Sequence, residues 1–228
     1  LIARDLDPAP GSSFVEAVTA RAAGLPIYVR LVLEDLVQGT LDVAAPLERL
    51  PSTLQAYFDA LLVRHSGSDL QQVTTPLIAT LTIAREPLAI SQLHVILSRR
   101  TLVARDARGA DLIARALSSL GPMLREEALP GATGFVLYHD SLRSHVRAAA
   151  AMQQAVETAQ AELVRAVLDW PAPELRELRP YLLRRGVAHL LDAGRSDDAS
   201  GLLLSADFLQ AALEAAGPVD LAADVERV

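Results

Sequence analysis

The side chains that could bind a metal or act in acid–base catalysis are five histidines and 28 acidic residues, and the chain has no cysteine. His139 and His145 are separated by five residues, and no His-Glu-x-x-His or similar ligand spacing occurs. The acidic pair Glu126-Glu127 lies where a solvated strand end is expected. There is also no Gly-x-Ser-x-Gly sequence for a nucleophilic serine. The sequence therefore predicts neither a metal site nor a hydrolytic triad.

Nucleotide hydrolysis needs parts that this sequence lacks. There is no Gly-x-x-x-x-Gly-Lys-Ser/Thr loop and no lysine at all, so all 21 basic residues are arginine. No hydrophobic strand ends in paired acids that could hold magnesium. Because phosphoryl transfer depends on these groups to position phosphates and metal, the segment is not expected to be an enzyme by itself.

Two short motifs remain as candidates for ligand contact. The first is Ala23-Gly24-Leu25-Pro26-Ile27-Tyr28, in which a glycine ends one helix and a proline begins the next. The second is Tyr138-His139-Asp140-Ser141-Leu142, at the junction between a strand and a helix. A purely structural interpretation fits both motifs: the first is a helix–turn–helix junction, and in the second Asp140 caps the helix while His139 ends the strand.

The composition favours a globular, mainly helical protein. Hydrophobic residues make up 51% and charged residues 21%, while aromatic residues are only 4%. Helix-forming Ala and Leu dominate the apolar residues. The net charge of -7 argues against a nucleic-acid partner, and no apolar run reaches the roughly 20 residues that span a bilayer. We expect a cytoplasmic protein that does not contact a membrane.

The first predicted domain covers residues 1–66. A Pro- and Gly-containing connector over residues 1–12 precedes a helix capped by Ser12 or Ser13. The helix after Gly24-Leu25-Pro26 is apolar nearly all round, so we expect it to be buried. A third helix, over about residues 51–65, has the clearest amphipathic spacing in the chain.

The second predicted domain covers residues 67–150, beginning at Gly67-Ser68. Three helices are expected, the first from Thr75-Pro76 because an interior proline breaks a helix. The third runs from Gly109 to Gly121. Two strands, at 123–127 and 134–138, then flank the turn Leu129-Pro130-Gly131. Three helices followed by a β-hairpin are typical of a winged-helix domain.

Residues 151–228 form the third predicted domain, which is helical. A helix over residues 141–170, with a possible break, is followed by a helix over 174–193 with a kink or restart at Pro180. Shorter helices follow at 196–204, 206–216 and 219–227. Short helices joined by tight turns are typical of a solenoid-like stack, although no strict internal repeat is present.

The two motifs, in this order and on these elements, resemble the NB-ARC and NACHT proteins of the STAND class of nucleotide-dependent signalling switches. The resemblance covers residues 12–228. It implies that Pro26, with Gly24 and Leu25, lies against the adenine of a bound nucleotide. It further implies that His139 contacts the terminal phosphate of ADP and holds the protein closed. Imidazole is suited to this, since it can donate a hydrogen bond to an anion.

The C-terminal third is similar to the helical domain that leads to WD-repeat propellers in the apoptosome scaffold and its bacterial relatives. The similarity rests on residues 181–190, 202–209 and 217–221, and implies that an aromatic residue at Phe208 packs into the helical stack. Because the chain begins with Leu1, we expect a segment of a longer protein. Upstream residues would then bind ADP or ATP with Mg²⁺, downstream repeats would act as a sensor, and activation would produce a homo-oligomer, in bacterial defence or signalling.

Two other functions remain open from the residues alone. A DNA-binding winged-helix regulator is one, although the predicted third helix of that domain carries only Arg115 against Asp111, and Arg125 is followed by Glu126-Glu127. A helical protein-interaction scaffold without a nucleotide role is the other.

Overall fold

The computed structural model describes residues 10–42, 47–66 and 70–226. The chain separates into two compact units, Leu1–Ser68 and Asp69–Val228, which are described one at a time. It is mainly helical with one small antiparallel sheet, which confirms the predicted class. Residues 1–9 of the predicted connector and the predicted boundary at Gly67-Ser68 lie outside the described residues.

The first unit contains helices α1 (Pro10–Ala22), α2 (Pro26–Val37) and α3 (Leu54–Ser66), with a 3-10 turn at Leu47–Arg49. Helix α1 begins at Pro10, so the predicted caps Ser12 and Ser13 lie inside its first turn instead of before it. The core of the first unit includes Phe14, Val18, Tyr28, Leu31, Tyr57, Phe58 and Leu61. The rings of Tyr28 and Tyr57 meet edge to face, with centroids 5.6 Å apart, a favourable geometry that joins α2 to α3.

The second unit begins with three helices and a small sheet. Its elements are α4 (Gln71–Ile83), β1 (Leu88–Ala89), α5 (Ile90–Arg99), α6 (Ala107–Ser119), β2 (Leu124–Leu129) and β3 (Ala132–Leu137). The strand order is β1-β3-β2, all antiparallel. The predicted hairpin is confirmed, with Gly131 in the turn at φ 73°, a conformation that glycine adopts without strain. The two-residue strand β1 was not predicted.

Helix α4 differs from the prediction because it runs through Pro76. A proline inside a helix loses one backbone hydrogen bond and costs about 3 kcal/mol. Here the loss falls near the start of the helix, and every residue from Pro76 to Ile83 is buried. Burial of this stretch against neighbouring elements offsets the cost of the proline. The helix therefore begins at Gln71, and the predicted start at Thr75 is wrong.

The rest of the second unit is a stack of helices: α7 (Asp140–Ala148), α8 (Ala150–Leu168), α9 (Arg179–Asp192), α10 (Ser196–Leu203) and α11 (Ala206–Val225). The predicted break in the first long helix is confirmed at Ala149, which is extended. Pro180 lies in the first turn of α9, so the chain restarts there. Gly217, at φ 79°, divides α11 where two helices were expected.

Packing in this stack joins the C-terminal helices to the preceding group. Helix α8 lies along both α4 and α9, and α9 packs on α11. Phe208 is fully buried and its ring meets Trp170 edge to face at 5.7 Å. The contact between α8 and α4 makes residues 70–226 one compact unit, and the predicted division at residue 150 stays a prediction.

Candidate functional site

The Gly24-Leu25-Pro26 motif forms the tight junction between α1 and α2. Ala23 and Gly24 have positive φ angles of 47° and 80°, which reverse the chain within two residues. Leu25 is extended as the N-cap residue of α2, and its N–H donates to the carbonyl oxygen of Ala22 at 2.7 Å. Pro26 follows in the first turn, where its missing N–H costs nothing.

The surface around Pro26 is open and apolar. Leu25 and Pro26 are exposed and line a groove with Val29 and Leu33, of which Leu33 is 54% exposed. Val37, further along the same helix, is 88% exposed. The prediction that α2 is buried all round is therefore wrong for its outer face. The motif leaves an apolar surface that a planar ligand or a partner could cover.

His139 caps helix α7. Its backbone is extended (φ −145°, ψ 144°), and its Nδ1 accepts a hydrogen bond from the backbone N–H of Ser141 at 3.1 Å. The hydroxyl of Ser141 lies 2.8 Å from the same nitrogen. The prediction that Asp140 caps this helix is wrong, because Asp140 is already the first helical residue.

The cap determines which ring nitrogen of His139 carries the proton. Nδ1 must present its lone pair to accept from the Ser141 N–H, so in the neutral ring the proton lies on Nε2. The side chain is exposed, and within the described ranges no hydrogen-bond partner meets Nε2. His139 thus presents an N–H donor to solvent at the N-terminal end of a helix, where an anion is favoured.

Asp140 has the opposite effect on an approaching anion. Its side chain is 97% exposed, and its nearest cation is Arg143, with Oδ1 and Nε 3.7 Å apart. A carboxylate in the first turn stabilises the helix through the helix dipole. The same charge, beside His139, weakens the attraction of this helix end for a phosphate.

Arg143 connects the helix of His139 to the rest of the unit. Its Nη1 donates to the carbonyl oxygen of Thr82 in the last turn of α4, at 3.3 Å, and to that of Ala84 just after the helix, at 2.6 Å. The bond to Ala84 holds α7 against the end of α4 and so positions His139. Sequence reasoning missed Arg143. Its spacing of four residues from His139 is the signal that places both near one face of a helix.

The structure places the predicted contacts in separate units. Gly24, Leu25 and Pro26 lie together in the first unit, and His139 lies in the second. The hypothesis that they flank one nucleotide stays a prediction. Among the described residues, no group of three or more His, Asp or Glu side chains is placed to hold a metal ion. In the same part of the chain, no helix is long and apolar enough to cross a bilayer.

Comparison with known proteins yields no significant match: no protein-family model, no curated protein and no solved structure is similar to the chain. The resemblance to STAND switches therefore depends on the sequence motifs alone.

Proposed function

We propose that this chain is the regulatory module of a STAND signalling ATPase, which holds the ADP-bound state closed and releases it on activation. The observation that carries the proposal is the exposed Nε2–H of His139, fixed by the cap of α7. The ADP or ATP belongs to an upstream domain that also binds Mg²⁺, and this segment alone binds none. The module acts in the cytoplasm, in bacterial defence or signalling, with downstream sensor repeats.

The order of elements supports a winged-helix domain before His139. In such a domain a short strand lies between the first and second helices, and a hairpin follows the third. Residues 71–137 have this arrangement, with β1 pairing the hairpin through Leu88 and Phe135. His139 then comes two residues after the last strand and directly before the next helix, as the resemblance implies. The stack of helices α8 to α11 corresponds to the solenoid-like arm.

In the proposed closed state, His139 donates its Nε2–H to the terminal phosphate of ADP, and Pro26 with Leu25 covers the adenine. The phosphate supplies the negative charge for His139, and the adenine supplies the planar face for Pro26 and Leu25. A charge-assisted hydrogen bond contributes about 1.5–3 kcal/mol. Losing it shifts the ratio of closed to open protein by about ten- to a hundredfold. The open state is the one that forms homo-oligomers.

Two substitutions in the full-length protein test this role. His139→Ala removes both the donor and the cap, whereas His139→Ser removes the donor and keeps a capping oxygen. We expect both variants to release ADP about ten- to a hundredfold faster and to oligomerise without a trigger. Only His139→Ala should also lose about 1 kcal/mol of unfolding free energy.

ADP release is followed with a fluorescent analogue, and oligomer mass by light scattering. His94→Gln, at a histidine that binds the carbonyl oxygen of Ala104, is the matched control and should leave release unchanged. Unaltered ADP retention and mass in His139→Ser would overturn the proposal.

A second candidate function is DNA binding. One structural observation supports it more strongly than the sequence alone does. Helix α6 begins at Ala107, capped by Asp106, so it includes Arg108 as well as Arg115. Together with Arg105 these side chains are exposed, and none has an ion-pair partner within the described ranges. Asp111 shares the surface depression of Arg108 and Arg115 and opposes them.

Binding to a mixed-sequence duplex, measured by fluorescence anisotropy across a salt series, separates the two candidates. We expect no more than weak binding, equal in the wild type and in Arg108→Gln/Arg115→Gln. The DNA-binding candidate would be favoured by tight binding in the wild type. The slope of log K against log salt concentration should then fall by about one for each arginine removed. Arg176→Gln, at an exposed arginine away from α6, controls for a general change in charge.

A further inference from the structure

A cavity of about 990 Å³ opens in the second unit between α7, α8 and the turn from α9 to α10. Its walls include the apolar side chains of Ile83, Val156, Ala161 and Val164. Five arginines also line it: Arg85, Arg143, Arg147, Arg165 and Arg195. We call this the arginine groove. None of the motifs considered above lies in it except Asp140, at one edge.

Three of the five arginines pair closely with carboxylates, and a fourth, Arg143, lies 3.7 Å from Asp140. Arg85 Nη2 lies 2.6 Å from each carboxylate oxygen of Asp192. Arg165 pairs with Glu162 at 2.9 Å, and Arg195 with Asp198 at 2.5 Å. Asp140 and Glu157 also line the groove, so it is a mixed surface in which the paired arginines add little net charge.

The other two arginines, Arg143 and Arg147, lie one turn apart on α7 and hydrogen-bond only to backbone. Arg143 Nη1 donates to Ala84, and Arg147 Nη2 lies 3.4 Å from the carbonyl oxygen of Thr82. These contacts also serve the fold, because cations stabilise the C-terminal end of a helix such as α4. They leave most of the guanidinium donors of Arg147 directed elsewhere, and the side chain is exposed.

Arg143 is the more buried of the two. Its side chain is only 21% exposed, and its Nε is buried without a hydrogen-bond partner, 3.7 Å from Asp140. Burial lowers the pKa of this guanidinium; Asp140 opposes the effect and the neighbouring Arg147 adds to it. A buried donor without a partner beside a second cation is a costly arrangement. An anion bound between the two side chains would offset the repulsion between the two guanidinium groups.

We propose that the arginine groove binds a small ligand that carries a phosphate group, held by Arg147 and Arg143. The planar fork of a guanidinium matches phosphate oxygens in pairs, and two adjacent cations favour a doubly charged anion over a single carboxylate. The cavity has the size of small-molecule sites, and its apolar wall accommodates the organic part. This site is separate from the proposed contact of His139.

Pyrophosphate is a suitable probe, and the chain itself is the protein to test. Binding is measured by calorimetry and by the shift in melting temperature, with sodium chloride added to keep the ionic strength constant. We expect saturable binding that weakens at least tenfold in Arg147→Gln. That variant should fold, since Arg147 is exposed and makes one long backbone contact. Arg176→Gln, at an exposed arginine outside the groove, is the matched control and should bind as the wild type does.

Several outcomes overturn the proposal. Stabilisation no greater than that from chloride does so, as does equal weakening in Arg176→Gln, which indicates general charge attraction. Binding of an acidic peptide without binding of pyrophosphate assigns the groove to a protein partner instead. His139→Ser separates this site from the nucleotide switch. Unchanged pyrophosphate binding in that variant supports a distinct groove, and its loss assigns the anion to His139.

Discussion

The imidazole of His139 is held in place by the hydrogen bond to its Nδ1, and its Nε2 faces solvent. The bond from the Ser141 N–H orients the ring and selects the tautomer, so the exposed nitrogen is a donor before any ligand arrives. Such preorganisation reduces the entropy lost on binding. It also means that one side chain has both a structural and a binding role, which explains why alanine alone is a poor test of function.

A second histidine, His189, has the opposite environment. It is fully buried in α9, and its Nε2 lies 2.6 Å from the hydroxyl of Tyr181. That hydroxyl also accepts a hydrogen bond from the backbone N–H of Arg85 at 3.2 Å. Burial lowers the pKa of His189 from 6.5 to about 4, with the positive charge of Arg85 adding to the effect and Asp192 opposing it.

The buried His189 predicts a loss of stability in mild acid. Between pH 6.5 and about 4 the unfolded chain binds a proton at His189 that the folded chain does not. The free energy of unfolding therefore falls as the pH falls through this window, by about 3 kcal/mol in all. Urea unfolding at several pH values measures the slope.

His189→Gln is the informative variant, because glutamine can still hydrogen-bond to Tyr181 but does not titrate. Carboxylates titrate in the same range, so the difference between the two slopes reports His189. A variant slope as steep as that of the wild type would show that His189 does not cause the acid sensitivity.

At the scale of elements, two glycines of the helical stack have opposite effects, one in a turn and one inside a helix. Gly194, between α9 and α10, has φ 69°, and an added Cβ would contact nothing within 4 Å. Gly201 lies inside α10, also with open space around it. Gly194→Ala should lower the free energy of unfolding by about 1 kcal/mol through backbone strain. Gly201→Ala should raise it by about 0.5–1 kcal/mol, because alanine favours helix.

Both changes add one methyl group to the same unit, so each controls for the other. Chemical denaturation of the two variants gives the free energies. Destabilisation by Gly201→Ala, or none by Gly194→Ala, would contradict the backbone conformations described for these two positions.

Most elements could be predicted from periodicity and turn residues, and the exceptions have physical causes. The spacing of Leu54, Tyr57, Phe58 and Leu61 predicted α3, and Pro130-Gly131 predicted the hairpin. The start of α4 could not be predicted, because tertiary burial outweighed the local effect of Pro76. Strand β1 has only two residues and pairs with a distant strand, so no local pattern marks it.

The candidate site was predicted less completely than the fold. The positions of Pro26 and His139 came from motifs, but the cap of α7 was assigned to Asp140 because aspartate is the commoner capping residue. The outer face of α2 was expected to be buried, since hydrophobicity does not distinguish a core from a surface awaiting a partner. Arg143 was missed because its spacing from His139 does not reveal that its partners are the backbone carbonyls at the end of α4.

At the scale of the whole molecule, the proposed switch requires two units to meet one ligand. Pro26 belongs to the unit Leu1–Ser68 and His139 to the unit Asp69–Val228. A ligand that contacts both residues shifts the equilibrium towards the closed state only if some of its contacts are lost in the open state. The net charge of -7 does not favour binding of an anion, so the contact must depend on local donors.

The most direct test of the central claim is the rate of ADP release from the full-length protein carrying Pro26→Ala, His139→Ser, or both. If both residues contact one bound nucleotide, each single variant releases ADP faster. We expect roughly fivefold for the lost apolar contact of Pro26 and about ten- to a hundredfold for His139. The double variant should show the product of the two effects. Release from either single variant at the wild-type rate would contradict the claim that these two units close on one nucleotide.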